Sequence, residues 1–359
     1  MAHNSLRFQR GLTLIEFMVS ITIGMLMVAA MATLIADQSS NRGEVDKSGR
    51  MIENGRYAIR TLADDVQMGG YWGELNLLPT APGTLPDPCS TTLADIVAAM
   101  PLHVQGYAPP GPPSTPVSSP AQAGGYNPST NTAVAPACLP NYRAGTDVLV
   151  VRHADPDSSD VETAGVVAPA KVVDTRVYLQ TGLEATGTQF TYAMNLGSNF
   201  AAAFTLLKKD KATLATLRKV IVRIYYVADC SVCTGTSADT IPTLKMRELT
   251  VGPALADPAT IAEGIENLQI DYGLDSDTDG APNGLDSSGD TMTLANWPNV
   301  MSMRISLLAR SPETTPGYTD LKTYSMGAVG STVAAKDGYK RHVFVQSVRL
   351  VNPSGRRAP

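Results

Sequence analysis

Histidine is scarce in this chain, with four among 359 residues (His3, His103, His153 and His342), none beside a recognisable nucleophile motif. There is no glycine-rich phosphate loop, no G-x-S-x-G and no H-E-x-x-H, so hydrolytic and phosphoryl-transfer chemistry lack their usual residues and the chain reads as a non-enzyme. Charge excess is equally slight. A formal net charge of −5 and a pI of about 5.4 leave no electrostatic footprint for nucleic acid, and the basic pair Arg356-Arg357 is too short to supply one. No internal repeat is visible, which removes solenoid architectures.

What is present is one long apolar run. From Leu12 to Ala36 the only ionisable residue is Glu16, and such a run is long enough to cross the roughly 30 Å hydrocarbon core of a bilayer as a helix. Arg7 and Arg10 precede it, which predicts that the short leader stays in the cytoplasm and the bulk of the chain lies outside. A secretory signal would have an apolar core of about 7–15 residues closed by a small-residue cleavage site; this run is longer, has no such site and passes directly into an amphipathic pattern. An acid inside the membrane costs about 2.5–3.5 kcal/mol on insertion scales, so Glu16 is a functional candidate rather than part of a plain anchor.

Gly11-Leu12-Thr13-Leu14-Ile15-Glu16 resembles the class III signal of type IV prepilins and pseudopilins. The resemblance implies cleavage by prepilin peptidase between Gly11 and Leu12 and methylation of the new amino terminus on Leu12. Glu16 then becomes the fifth residue of the mature chain. Family members usually have Phe or Met where this chain has Leu12, a departure the peptidase tolerates because it chiefly demands the glycine. Glu16 pairs with the free amine of a neighbouring subunit as it enters the filament, which turns a buried acid into a register-setting ion pair.

Two further stretches narrow the resemblance. Ala58–Gly73, where an amphipathic turn runs into Gly69-Gly70-Tyr71-Trp72-Gly73, and Glu263–Gly273 are both similar to PilW-type minor pilins. As plain structure, the first is also a helix terminus with two aromatics that plug a core.

In chain order, residues 1–11 form the leader, 12–36 the transmembrane or filament-core helix and 37–70 its amphipathic continuation. Residues 71–359 form a periplasmic β-rich body. Val45, Ile52, Ile59 and Val66 recur every seven residues, with Met51 and Leu62 widening the stripe. Unbroken to Val66, the helix would be roughly 80 Å long; Gly43, Gly49 and Gly55 weaken it by about 1 kcal/mol each relative to alanine and allow a bend. Gly69-Gly70 ends it.

Between 79 and 140 lie fourteen of the twenty-five prolines, and this reads as an extended, loop-like insertion. Strand-like runs follow at Asp147–Arg152, Lys171–Gln180, Lys219–Val227, Thr243–Thr250, Ile265–Tyr272, Val300–Ala309 and Arg341–Val351. Ala201–Arg218 is expected to add a short helix. One long helix followed by strands argues an α+β fold, pilin-like, with the helix packed on an antiparallel sheet and the Pro-rich segment inserted as a loop.

Four cysteines in an exported chain read as two disulfides in an oxidising compartment. Cys89 with Cys138 would close the Pro-rich loop, and Cys230 with Cys233 would pin a strand end. Three pairings remain open on sequence alone. Cys230-Ser231-Val232-Cys233 lacks both the βα context of a redox centre and two further zinc ligands.

Asp275, Asp277, Asp279, the Ala281 carbonyl, Asn283 and Asp286 occupy positions 1, 3, 5, 7, 9 and 12 of an EF-hand-like calcium loop, with Gly280 at the turn. Pro282 and the short Asp286 depart from that pattern, and the loop follows a strand. A solvated acidic turn is the alternative to a structural Ca²⁺ site.

The resemblance as a whole implies a minor pilin that helps initiate type IV pilus assembly. Its partners would be other minor pilins, the major pilin, prepilin peptidase, the inner-membrane assembly platform and a non-pilin tip adhesin. Two other readings stay open: a large minor pseudopilin of a type II secretion system, and a tip-located adhesive or ligand-binding module.

Overall fold

The computed structural model describes residues 13–76, 78–107, 138–249, 254–286, 292, 294–327, 331–334 and 336–357. The chain divides into two compact units, one up to Gly49 and one from Arg50. Helix α1 (Leu14–Met68) makes up nearly all of the described part of the first and opens the second. It remains helical through Gly43, Gly49 and Gly55.

In the first unit Leu14, Ile15, Phe17, Met25, Leu26 and Val28 are exposed. Among the described residues α1 is the one helix long and apolar enough to cross a membrane. Val45 belongs to this unit and is 70% exposed, so the expected seven-residue stripe is not buried at its first position.

In the second unit the stripe is core. Met51, Ala58, Ile59, Leu62, Ala63 and Val66 are buried, and Ile52 packs against them. After α1 come α2 (Leu93–Ala98), β1 (Val104–Tyr107), β2 (Val148–Ala154), the small hairpin β3 (Glu162–Thr163) and β4 (Val166–Val167), β5 (Val177–Leu183), β6 (Phe190–Leu196) and α3 (Phe200–Ala203). The chain continues through β7 (Leu217–Ala228), β8 (Thr243–Glu248), β9 (Ala259–Glu263), β10 (Ile265–Leu274), β11 (Leu285–Asp286) and β12 (Val300–Arg310). The hairpin β13 (Thr323–Met326) and β14 (Ser331–Ala334), then β15 (Arg341–Arg349) and α4 (Val351–Arg357), complete it.

One sheet runs β1-β2-β7-β5-β6, with β8 on β7 and β9 on β8; a second runs β11-β10-β12-β15, and every pairing is antiparallel. Period-two alternation splits the first sheet between two cores. Leu149, Val151, Tyr225 and Val227 join α1 in a common core with Leu268, Ile270, Met303, Ile305 and Leu307 of the second sheet. Val148, Val150, Ile224 and Tyr226 point the other way, onto Trp72, Ile96, Met100 and Leu179. An α+β architecture of one long helix with antiparallel sheets is therefore observed.

Several local expectations are corrected. Residues 78–107, grouped by composition with the Pro-rich loop, are structured: α2 is capped by Thr92, whose side chain accepts from the Asp95 amide, and β1 pairs with β2. Ile96, Met100, Leu102, Val104 and Tyr107 are buried there, so apolar spacing outweighs the prolines around them. Positions 108–137 of that expected insertion lie outside the described residues. The helix expected over Ala201–Arg218 stops at Ala203, after which the chain leaves helical geometry at Phe204 and Leu207 bridges to Leu183 and Leu214, with a turn at Asp210 between them. Lys171–Gln180 is strand only from Val177. The last strand ends at Arg349 and gives way to α4.

Gly55 has a packing reason to be glycine. A Cβ there would lie 2.1 Å from Cε2 of Phe344 on β15, whereas nothing lies within 4 Å of the same position on Gly49. Gly55→Leu is expected to lower stability by about 1–3 kcal/mol through overpacking. Gly49→Ala should raise it by up to about 1 kcal/mol. Chemical denaturation of the two full-length variants in detergent measures both, and equal effects would remove this account of Gly55.

Candidate functional site

The amino-terminal candidates begin at the edge of the described residues, since Gly11 and Leu12 lie outside them. Thr13 and Glu16 form a reciprocal cap on α1. The Glu16 amide donates to Thr13 Oγ1 at 3.4 Å, and the Thr13 amide and hydroxyl donate to Glu16 Oε2 at 3.4 and 3.3 Å. The T-x-x-E spacing of a capping box was in the sequence and would have signalled this. Glu16 thus starts the helix and, being exposed, presents its carboxylate at the helix entrance.

Within the second unit the end of α1 is locked by a buried carboxylate. Asp65 accepts from Arg223 Nη1 at 2.6 Å and from the Tyr225 hydroxyl at 3.0 Å, with His153 Nε2 at 3.3 Å. Burial alone would push the Asp65 carboxyl up; the hydrogen bond to His153 and the charge of Arg223 outweigh it and hold it below its ordinary value. Glu248 bonds the same guanidinium at 2.7 Å. No sequence motif marks Asp65, whose partners lie 88 to 160 residues away.

The carboxyl terminus closes the same region. Asn352 Nδ2 donates to the Gln67, Met68 and Gly69 carbonyls where α1 ends, and Arg356 donates to the Gly70 carbonyl at 2.8 Å. Gly70 has φ +73°, the left-handed conformation glycine adopts without strain.

The aspartate loop is held by this terminal segment. Asp275, Asp277 and Asp279 each bring one carboxylate oxygen within 4.8 Å of the others. Asp275 is buried, accepts from the Thr278 and Gly280 amides at 2.6 and 3.0 Å, and has Arg357 Nη1 at 3.3 Å. Burial would raise its pKa, but those amides and Arg357 lower it. The Ser354 hydroxyl and Arg349 both donate to the Gly280 carbonyl.

Of the other candidate ligands, Asn283 Oδ1 is turned onto the Ser276 amide at 2.6 Å, and the backbone of Asp286 pairs with Tyr272 in β11. Three of the six sequence candidates are brought together. The donor set suits a hard cation, and the Asp275 oxygens already face two amides and the Arg357 guanidinium, with which a bound ion would compete.

The cysteines are paired Cys89–Cys138 and Cys230–Cys233, with Cα separations of 5.7 and 5.2 Å. The first closes 49 residues of sequence, a constraint on the order of 4 kcal/mol in the chain-entropy model. The second sits just beyond β7, where Asp239 accepts from the Ser231, Val232 and Ile241 amides and Lys245 Nζ donates to the Ser231 carbonyl.

The other two described histidines, His103 and His342, serve packing. His103 Nε2 lies 2.7 Å from the Val300 carbonyl and is fully enclosed; burial, only partly offset by that bond, pushes it down to about 4. His342 packs edge-on against Phe344.

Two family models match the chain. The prokaryotic N-terminal methylation motif matches residues 6–32, and the type IV pilus-assembly protein W family, PilW, matches residues 224–352, from within β7 into α4. Neither describes an enzyme family. No curated protein matches significantly. Among solved structures the chain is similar to a type IV-like pilin from Thermus thermophilus at 14% identity, covering 50% of this chain and 86% of that chain with a TM-score of 0.24, too low to fix a fold. A methylation motif over the apolar helix and a PilW domain over the later strands together support a PilW-type minor pilin.

Proposed function

We propose that this chain is a minor pilin that helps initiate type IV pilus assembly, in a priming or tip complex with other minor pilins and the major pilin. The observation that carries the reading is the joint occurrence of the methylation motif at 6–32 and the PilW domain at 224–352. Prepilin peptidase cuts between Gly11 and Leu12 and the new terminus is methylated on Leu12. Residues 12–36 then hold the protein in the inner membrane, 37–70 continue the helix, and 71–359 lie in the periplasm.

The work is association rather than reaction. The exposed apolar residues of α1 suit lipid before assembly and neighbouring helices after it. Glu16, which among the described residues accepts only from its own Thr13, is available to a neighbour's terminal amine. The assembly platform draws the subunit out, and a non-pilin adhesin completes the tip.

Affinity purification from envelope membranes with mass spectrometry tests this. Minor pilins should co-purify, deletion should abolish twitching motility, and the intact mass should correspond to a methylated chain beginning at Leu12. Recovery of type II secretion components with lost protein secretion would reassign the chain to a pseudopilin, and a polypeptide beginning at Met1 would overturn both readings.

A structural Ca²⁺ held by Asp275, Asp277 and Asp279, with the Ala281 carbonyl, Asn283 and Asp286, belongs to the same proposal. It stabilises the fold by binding only the native state, by about 2.7 kcal/mol at a hundredfold excess over Kd. Calcium should raise the unfolding midpoint of the chelator-treated full chain, Asp277→Asn should abolish the rise, and Arg357→Ala should tighten binding. Identical midpoints with calcium and chelator would remove the site.

A further inference from the structure

A hollow of about 370 Å³ opens beside the turn that follows α1. It is lined by Glu74, by Thr181 of β5, by Lys208, Lys209 and Thr216 of the segment before β7, and by Arg218 at the start of β7. Three cations therefore meet around one cavity, and among the described residues none has a carboxylate within ion-pair distance. Their hydrogen-bond and ring partners are neutral, although Asp210 lies near enough to Lys208, and Asp157 to Arg218, for charge to act between them. Lys208 Nζ donates to the Gly165 carbonyl at 2.8 Å, and Arg218 Nη1 to the Asp155 and Pro156 carbonyls. Lys209 Nζ lies 5.7 Å from the Phe190 ring, and the Arg218 guanidinium 5.5 Å from that of Tyr71.

Like charges lining one cavity repel one another; Glu74, Asp157 and Asp210 offset part of that cost, and an entering anion relieves more of it. The two carbonyl bonds and the Tyr71 ring fix Arg218 in place, leaving its remaining N–H groups free for a planar carboxylate. The rest of the lining is not that of a bare anion site. Glu74 is exposed and would repel a phosphate dianion, whereas its carboxylate accepts well from hydroxyls. Thr216 supplies a hydroxyl that both donates and accepts, and the Thr181 hydroxyl, which already accepts from the Glu74 amide at 3.4 Å, has a proton to give. The volume lies at the small end of ligand pockets, the size of one or two sugar rings.

We infer that this pocket binds a carboxylate-bearing sugar, with the acid group among Lys208, Lys209 and Arg218 and the ring hydroxyls against Glu74, Thr181 and Thr216. This goes beyond the assembly role and holds or fails independently of it.

Calorimetric titration of the detergent-solubilised full chain with glucuronate and galacturonate tests the inference, with glucose and inorganic phosphate as controls. At least one uronate should bind saturably, more weakly at high salt, and at least about tenfold more tightly than glucose or phosphate. Lys209→Glu, at an exposed position, should weaken uronate binding by about tenfold or more, while Lys322→Glu, exposed and remote in sequence, should not change it. Lys208→Glu should act like Lys209→Glu; if loss of its bond to Gly165 prevents folding, the Lys209 variant alone decides. The inference is overturned if neither uronate saturates, if glucose or phosphate binds as tightly, or if the Lys322 variant loses as much as the Lys209 variant.

Discussion

Asp65→Ala is expected to destabilise the second unit by about 3 kcal/mol, the low end of the ~3–5 kcal/mol range for breaking a buried ion pair. The substitution leaves the Tyr225 hydroxyl without its acceptor and the His153 ring facing a void. Arg223 loses one of two carboxylates but keeps Glu248 at 2.7 Å and is partly solvated, which is why the low end applies. Because Asp65 joins α1 to β2 and β7 at once, the loss should appear as earlier release of the helix. Amide exchange along residues 58–68 should rise more than exchange in β12. Uniform acceleration everywhere would show that Asp65 contributes only global stability.

The same carboxylate sets a pH dependence with a definite sign. Its folded pKa lies below its ordinary value of 3.8, so its contribution is fully present above that value and is lost as pH falls through the folded one. Acid titration of stability should therefore be shallower in Asp65→Asn than in the parent, with the curves converging once the pH falls below the folded value.

The parts of the fold legible from sequence were those written in local periodicity. Ile52, Ile59, Leu62 and Val66 gave the buried face of α1, and alternating runs such as Val220–Tyr226 gave β7, because one buried face forces the period. β6 was missed for the converse reason: at the end of its sheet it is half-buried along most of its length, so its sequence alternates only weakly. β1 was masked by neighbouring prolines that lie outside it.

Asp65, Asn352 and Arg357 were illegible for a different reason. A lone polar residue on a helix or at a terminus reads as solvated until its partner is known, and Asn352 caps carbonyls that lie 283 to 285 residues earlier. Of the candidate sites, the Thr13/Glu16 cap and the aspartate loop were local and their spacing was visible. The contact of Arg357 with Asp275 was not, since it depends on the chain end folding back onto the loop.

Arg341→Met is expected to be at least as costly as Asp65→Ala, about 3–5 kcal/mol. The guanidinium at the start of β15 bonds Glu266 of β10 through two nitrogens, at 2.5 and 3.1 Å, and Asp337 through two, at 2.7 Å each; Asp320 lies at 3.3 Å. Three carboxylates from three segments thus share one buried cation, and methionine fills its volume without neutralising any of them. Arg341→Lys keeps the charge but cannot form two forked pairs, so it should recover only part of the loss. The pH response distinguishes this from simple packing damage. In the parent protein the Arg341 guanidinium holds Asp337 below its ordinary value, and Asp320 is likewise lowered against its burial, so both favour folding above the carboxylate range and withdraw that support in acid. Without the arginine, Asp320 keeps the Tyr324 hydroxyl and the Lys322 amide as donors, Asp337 is left half-exposed, and Glu266 retains the more distant Arg143 and Arg310, so the lowering of these carboxylates shrinks. Stability in the variant then gains less than the parent does as pH rises above the carboxylate range. Denaturation of parent and variant from pH 4 to 8 should show the deficit widening with pH; a deficit constant across that range would mean that the arginine matters for its shape and not its charge.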